Sequence, residues 1–243
     1  MFHTLDPGKI IGTLETLVRR IGERFPQSGL EKIGRQLTDV ARTTSAHVDK
    51  LAQPNYVMRL LVAAILIGGA GVLAWLAFLA HNLEASTELT NVMQAVDAVT
   101  SLTVVLGGGA LYLSTFEGRW RRDSAMKGLH ELRSIVHVID MHQLTKDPSA
   151  FGAPRTSSSP DRAMSPYQLL RYLGYCAELL SLASKVAALY ADKIRDASVV
   201  DAVGDIERLT AHLSQKIWQK IELIQERMPS RPASDALAPK LDA

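Results

Sequence analysis

From Leu60 to Ala80 the chain reads LLVAAILIGGAGVLAWLAFLA, without one charged residue. As a helix rising ~1.5 Å per residue this run covers roughly 31 Å, about the ~30 Å thickness of a bilayer's hydrocarbon core. The alternative is the core helix of a soluble protein, but such helices rarely stay apolar on every face for so long. A second run, Ala98 to Phe116 (AVTSLTVVLGGGALYLSTF), is shorter and more polar. Its Thr100, Ser101 and Thr103 carry hydroxyls that helices satisfy on their own carbonyls. The reading is an all-α membrane protein built on a two-helix transmembrane hairpin, with spans at about 58–80 and 96–116 and an outside loop at 81–95.

Lysine and arginine placement sets the direction. The loop holds Glu84 and Glu88 and neither Lys nor Arg, whereas Arg42, Lys50 and Arg59 precede the first span and Arg119, Arg121, Arg122 and Lys127 follow the second. Positive residues stay on the cytoplasmic side, so both termini are expected in the cytoplasm of a plasma (inner) membrane, multi-pass protein. Tyr56 and Trp120 fall at the inner boundary, and Trp75 and Phe78 near the outer one, where amphipathic rings favour the interface. The run Arg119, Trp120, Arg121, Arg122 sits at headgroup level and is expected to contact lipid. No cleavable leader is read at the N-terminus, and Asp6, Glu15, Glu23 and Glu31 argue against a transit peptide, so the first span is expected to be a retained anchor.

Glycines mark both spans. In lipid, helices associate through close backbone contact, so Gly68, Gly71, Gly107, Gly108 and Gly109 (with Gly69 beside them) are candidates for helix packing, within the chain or between copies. The same glycines, with Asp97, would line a pore if the helices were hinged or unwound there. Packing is the preferred reading, and Asp97 suits a helix start near water.

Of 243 residues, 47% are hydrophobic and 21% charged, an average that conceals this segregation. A net charge of +2 gives no basic face for nucleic acid, so none is expected as a partner. The lone Cys176 excludes an intrachain disulfide.

The flanks read as an α-helical cytoplasmic bundle. Region 1–54 holds two helices: Ile10, Ile11, Leu14, Leu17, Val18 and Ile21 form one apolar face, and after Phe25-Pro26-Gln27-Ser28-Gly29 a second helix shows Leu30, Ile33, Leu37, Val40, Val48 and Leu51. Pro54 is expected to separate it from the hairpin, 55–117. Region 118–228 starts as a continuation of the second span, with Leu129, Leu132, Ile135, Val136 and Ile139 on one face. A Pro/Ser-rich linker at 146–165 follows. Ser165-Pro166-Tyr167-Gln168 is a capping-box start for a helix whose stripe runs through Leu169, Tyr172, Leu173, Cys176, Leu180, Ala183 and Ala187. Ser198 with Asp201 suggests one more start. Val203, Ile206, Leu209, Leu213, Ile217, Ile221, Ile224 and Met228 then repeat like a coiled-coil seam. The tail 229–243 is expected to be disordered.

Catalytic residues are not assigned. No phosphate-binding loop, nucleophile elbow or paired-cysteine zinc motif occurs, and no cofactor is implied. In HELRSIVHVIDMHQ, His137 and Asp140 lie one turn apart and are weak metal candidates. His130 is about 10 Å further along the axis at ~1.5 Å per residue, and His142 points elsewhere. The leading expectation is a non-enzymatic membrane protein whose cytoplasmic bundle mediates self-association, as a homo-oligomer, or binds a protein partner. The alternatives are a small oligomeric channel or transport component using the glycine-rich spans, and a membrane-anchored metal-dependent enzyme.

Overall fold

A computed structural model describes residues 5–53, 56–82, 89–146, 157 and 164–227. The expected break at Pro54, the acids of the loop (Glu84, Glu88), almost all of the linker, Met228 and the tail 229–243 lie outside the described residues. Among the described residues six helices follow in order: α1 Pro7–Arg24, α2 Gly29–Ala52, α3 Tyr56–Asn82, α4 Leu89–Leu144, α5 Pro166–Lys193 and α6 Ala197–Arg227.

Local chemistry sets the helix ends. Asp6 caps α1 by accepting from the amides of Gly8 (2.9 Å) and Lys9 (3.3 Å), with Pro7 in the first turn. Between α1 and α2, Gln27 takes a left-handed φ of 57° and its amide donates to Glu31 Oε2 at 2.9 Å. Ser28 then caps α2, accepting from the Glu31 amide at 3.2 Å. At α5 the capping box is complete: Gln168 N donates to Ser165 Oγ (3.2 Å), and Ser165 N donates to Gln168 Oε1 (2.8 Å). At α6 the expectation needs correcting. The cap is Asp196, whose Oδ1 accepts from Ser198 N (3.0 Å) and Val199 N (3.4 Å), so the helix begins at Ala197 rather than being started by Ser198 with Asp201.

α1, α2, α5, α6 and the C-terminal half of α4 form one bundle around a single apolar core. α5 is its hub and packs against all four others. The sequence showed one apolar stripe on α5. The structure also buries Tyr175, Leu179, Leu182, Val186, Leu189 and Tyr190, because neighbours cover the helix on several sides. The seam of α6 (Val203, Ile206, Leu213, Ile217, Ile221, Ile224) is buried inside this core.

Two close approaches hold the layers together. Tyr190 lies across α4 where Gly128 has no side chain; a Cβ there would meet the Tyr190 hydroxyl directly and its Cζ at 2.8 Å. Gly29, at the first turn of α2, makes room in the same way for the His142 ring at the end of α4.

α3 and the N-terminal half of α4 pack together as a hairpin outside the bundle. α4 runs unbroken for 56 residues, on the order of 84 Å at ~1.5 Å per residue, and so belongs to both parts.

Candidate functional site

The most unusual surface is the hairpin's. α3 and α4 are long and apolar enough to cross a membrane by length and composition, and only 6% of the most apolar window of each is buried. In a soluble core helix that share would be large. Leu60, Leu66, Ile67, Trp75 and Phe78 on α3, and Val96, Val104, Val105, Leu111 and Tyr112 on α4, all face outward. Monomeric proteins in water rarely expose a contiguous apolar surface of this extent.

Three threonine hydroxyls within this stretch are satisfied locally. Thr100 Oγ1 donates to Val96 O (2.7 Å), Thr103 Oγ1 to Val99 O (2.8 Å) and Thr115 Oγ1 to Tyr112 O (2.9 Å). Each hydroxyl folds back on its own helix, as apolar surroundings require. Both helices remain α-helical through their glycines, with no unwound segment there.

The glycines divide in function. Gly69 is buried, and its missing side chain admits Leu106 of α4, with Leu106 Cγ at 3.5 Å from where a Cβ would be. Gly68, Gly71, Gly107, Gly108 and Gly109 have nothing within 4 Å of that position. The contact inside one chain therefore runs through Gly69 and Leu106, with Ala110 buried nearby in sequence. Gly68, Gly71, Gly108 and Gly109 are exposed, as is Asp97. Nothing in the sequence separates Gly69 from Gly68; only the angular position on the helix does.

At the junction of hairpin and bundle, Arg121 turns inward. Its Nη2 donates to the carbonyl of Gln53, the C-cap of α2, at 2.7 Å and also pairs with Glu117 on its own helix. A cation at a helix C-terminus meets both the unpaired carbonyl and the negative end of the helix dipole. Arg121 thus ties α2 to α4, a role the headgroup reading of the sequence missed, although the i,i+4 spacing from Glu117 hinted at it. Arg122 Nε lies 3.7 Å from Asp123 Oδ1, while Arg119 and Trp120 point outward.

The residues considered for metal do not converge. His130 and His137 are exposed. Asp140 accepts from Gln143 Nε2 at 2.6 Å, and Lys220 donates to Gln143 Oε1 (2.6 Å) and to its carbonyl (3.1 Å). The buried Gln143 is in this way satisfied on both ends and joins α4 to α6. Among the described residues no three His, Cys, Asp or Glu gather in a way that would hold an ion. Cys176 is buried in the core, and that burial pushes its thiol up to about 12 despite Lys220 and Lys146 nearby, so it stays neutral and unreactive. His142, half-buried against Gly29, is shifted downward by desolvation first and by Lys146 second.

No family model matches this chain, and neither a curated protein nor a solved structure resembles it at a meaningful level.

Proposed function

We propose that the chain is a non-enzymatic integral membrane protein of the plasma (inner) membrane, held by the α3–α4 hairpin with both termini cytoplasmic. Its helical bundle then works at the membrane surface by self-association or by binding a protein partner. The observation that carries this reading is the contrast in burial: the bundle closes its core, whereas the hairpin leaves nearly all of its apolar surface uncovered. The direction follows from the Lys/Arg-free loop set against the basic flanks. Arg119 and Trp120, which face outward beside the hairpin, are the headgroup contacts in this arrangement.

The α6 seam is already used within the chain, so association through it would require the bundle to open. Two other surfaces are available. One is the outward glycine face of the hairpin, Gly68, Gly71, Gly108 and Gly109, where a second hairpin could approach closely. The other is the exposed apolar pair Val138 and Met141, one turn apart on α4.

Thiol labelling in sealed vesicles tests the topology. Native Cys176 is buried and neutral, so the background is low. A Ser86→Cys variant should react with an impermeant maleimide only from outside, and Ser157→Cys only after the membrane is opened. Labelling of both from one side overturns the hairpin. Native mass spectrometry of detergent-purified protein tests association, and a strict monomer with no co-purifying protein would remove the second half of the proposal.

A further inference from the structure

Across the interface between α1 and α5, away from the hairpin, three arginines face one cleft. Arg20 and Arg24 come from α1 and Arg171 from α5; they line a cavity of about 510 Å³ together with Glu23 and Tyr175. Three guanidinium charges therefore meet one carboxylate, and none of the three forms an ion pair with a described carboxylate. The groove between α1 and α2 is built differently. There Arg42 reaches Glu15 (2.7 Å) and Asp39 (3.3 Å), and Arg35 reaches Glu31 (2.6 Å). In that groove the two arginines of α2 are matched, while Arg19 of α1 lines it without an ion pair to a described carboxylate.

Two of the three cleft arginines lie over aromatic rings. The Arg171 guanidinium carbon sits 5.1 Å from the Tyr175 ring centroid, and that of Arg24 lies 5.8 Å from the Tyr167 ring centroid. Arg171 Nε is buried and has no hydrogen-bond partner. A buried donor without an acceptor carries a desolvation cost that a ligand oxygen would remove. Phe25, packed edge-on against Tyr172 at 5.4 Å and Tyr175 at 6.3 Å, holds α1 against this end of α5. Three cations lining one cleft against a single carboxylate leave an excess of positive charge there, which favours an anionic ligand. Planar guanidinium groups favour phosphoryl oxygens in particular, since they can donate two parallel hydrogen bonds.

We propose that Arg20, Arg24 and Arg171 bind the phosphoryl group of a soluble phosphate ester at the α1–α5 interface. Along α2 the cleft lies at the end away from the hairpin. Arg24 closes α1 next to the start of α2, and the 24 residues of α2 place that end roughly 35 Å from α3, at ~1.5 Å per residue. The cleft itself lies wholly within the bundle and stands without the anchoring role, whereas the choice of a soluble ester over a lipid headgroup rests on that role.

Calorimetric titration of the full-length protein in detergent with sodium pyrophosphate and sodium phosphate, at matched ionic strength, provides the test. Saturable binding of both probes is expected, pyrophosphate the tighter. Arg24→Gln and Arg171→Gln should each weaken it about tenfold or more, the scale of one lost charge-assisted hydrogen bond. Arg208→Gln, which removes an arginine already beside Asp205 on α6, should leave binding unchanged. Thermal unfolding without ligand provides an independent readout. Removing one of three crowded cations should leave the midpoint equal or higher, and the rise in midpoint on adding pyrophosphate should disappear. Absence of saturable heat overturns the proposal, as does equal weakening in Arg208→Gln. If a Gln variant does not fold by circular dichroism, Arg171→Lys keeps the charge and the packing while losing the bidentate geometry. Full affinity in that folded variant overturns the phosphoryl site as well.

Discussion

The hairpin and the bundle are made of the same material arranged in opposite senses. Both are helical and both are rich in Leu, Ile, Val and Ala. In α1 and α2 the apolar residues recur every three or four positions and nearly all are buried. In α3 they occupy every face and nearly all are exposed. Periodicity appears where a helix has water on one side and protein on the other. It vanishes where the surroundings are alike on all sides. Along a single unbroken rod, α4 passes from an apolar, exposed stretch without a stripe to one with a buried stripe.

The sharpest way to probe this difference is to remove the same side chain in both regions. Leu180 is fully buried in α5 and Leu66 is exposed on α3. Leu180→Ala should destabilise the bundle by about 2–5 kcal/mol, the cost of lost transfer energy plus the cavity left behind. Leu66→Ala should leave the bundle's denaturant midpoint within experimental error. Equal losses would mean that the hairpin is part of the folded core, and the comparison would fail.

The reverse substitution exposes the other half of the contrast. Leu66→Arg places a charge on the hairpin's outer face. If that face meets lipid, insertion should be disfavoured by about 2.5–3.5 kcal/mol on the biological scale, read as the fraction integrated in a glycosylation-mapped insertion assay. Met141→Arg, at an exposed apolar position of the bundle, should insert like the wild type. Normal integration of Leu66→Arg would remove the support for a lipid-facing α3.

The two regions also differed in how much the sequence disclosed. Helix positions, the α1–α2 break and the α5 capping box follow from local rules, since one or two side chains near each end set them. The burial of α5 on several sides was hidden, because a hub helix is apolar all round and a stripe is only its most regular part. Partners across the fold were equally invisible. Arg121 reads as a headgroup contact until Gln53, 68 positions away, is placed beside it. Lys220 and Gln143 are 77 apart, and nothing local marks either. The arginine cleft is invisible for a similar reason: Arg20 and Arg24 are 147 or more positions from Arg171, which α5 brings to them.

A smaller effect is expected where the bundle touches α4. Gly128→Ala improves intrinsic helix propensity by about 1 kcal/mol, yet the new methyl would collide with the buried Tyr190 hydroxyl. Overpacking of this kind costs about 1–3 kcal/mol, so the net change should be a modest loss of stability. The first atom in the way is the hydroxyl, whose remaining contact is a long one, 3.4 Å to Thr44 Oγ1. Tyr190→Phe should therefore recover part of the loss when combined with Gly128→Ala, because the ring's Cζ, at 2.8 Å, must still shift. A double variant no better than the single one would show that the ring, not the hydroxyl, sets the spacing between α4 and α5. No glycine of the hairpin with open space around it, such as Gly108, should behave in this way in the isolated chain.

The smallest effect concerns His142, where the end of α4 meets the start of α2. Its ring lies against Gly29, and burial together with Lys146 lowers its proton affinity below the ordinary value near 6.5. The positive end of the α2 dipole acts in the same direction. The unfolded chain thus takes up a proton at a pH where the folded chain still resists it. The contribution of this group is fully present above pH ~6.5 and is lost as pH falls through the lower folded-state value. Denaturant titrations at several pH values should show wild type losing more stability than His142→Gln between neutral and mildly acidic pH. The difference between the two curves cancels the carboxylates common to both. Parallel curves would mean that His142 remains open to water, and that the Gly29 contact is too loose to exclude it.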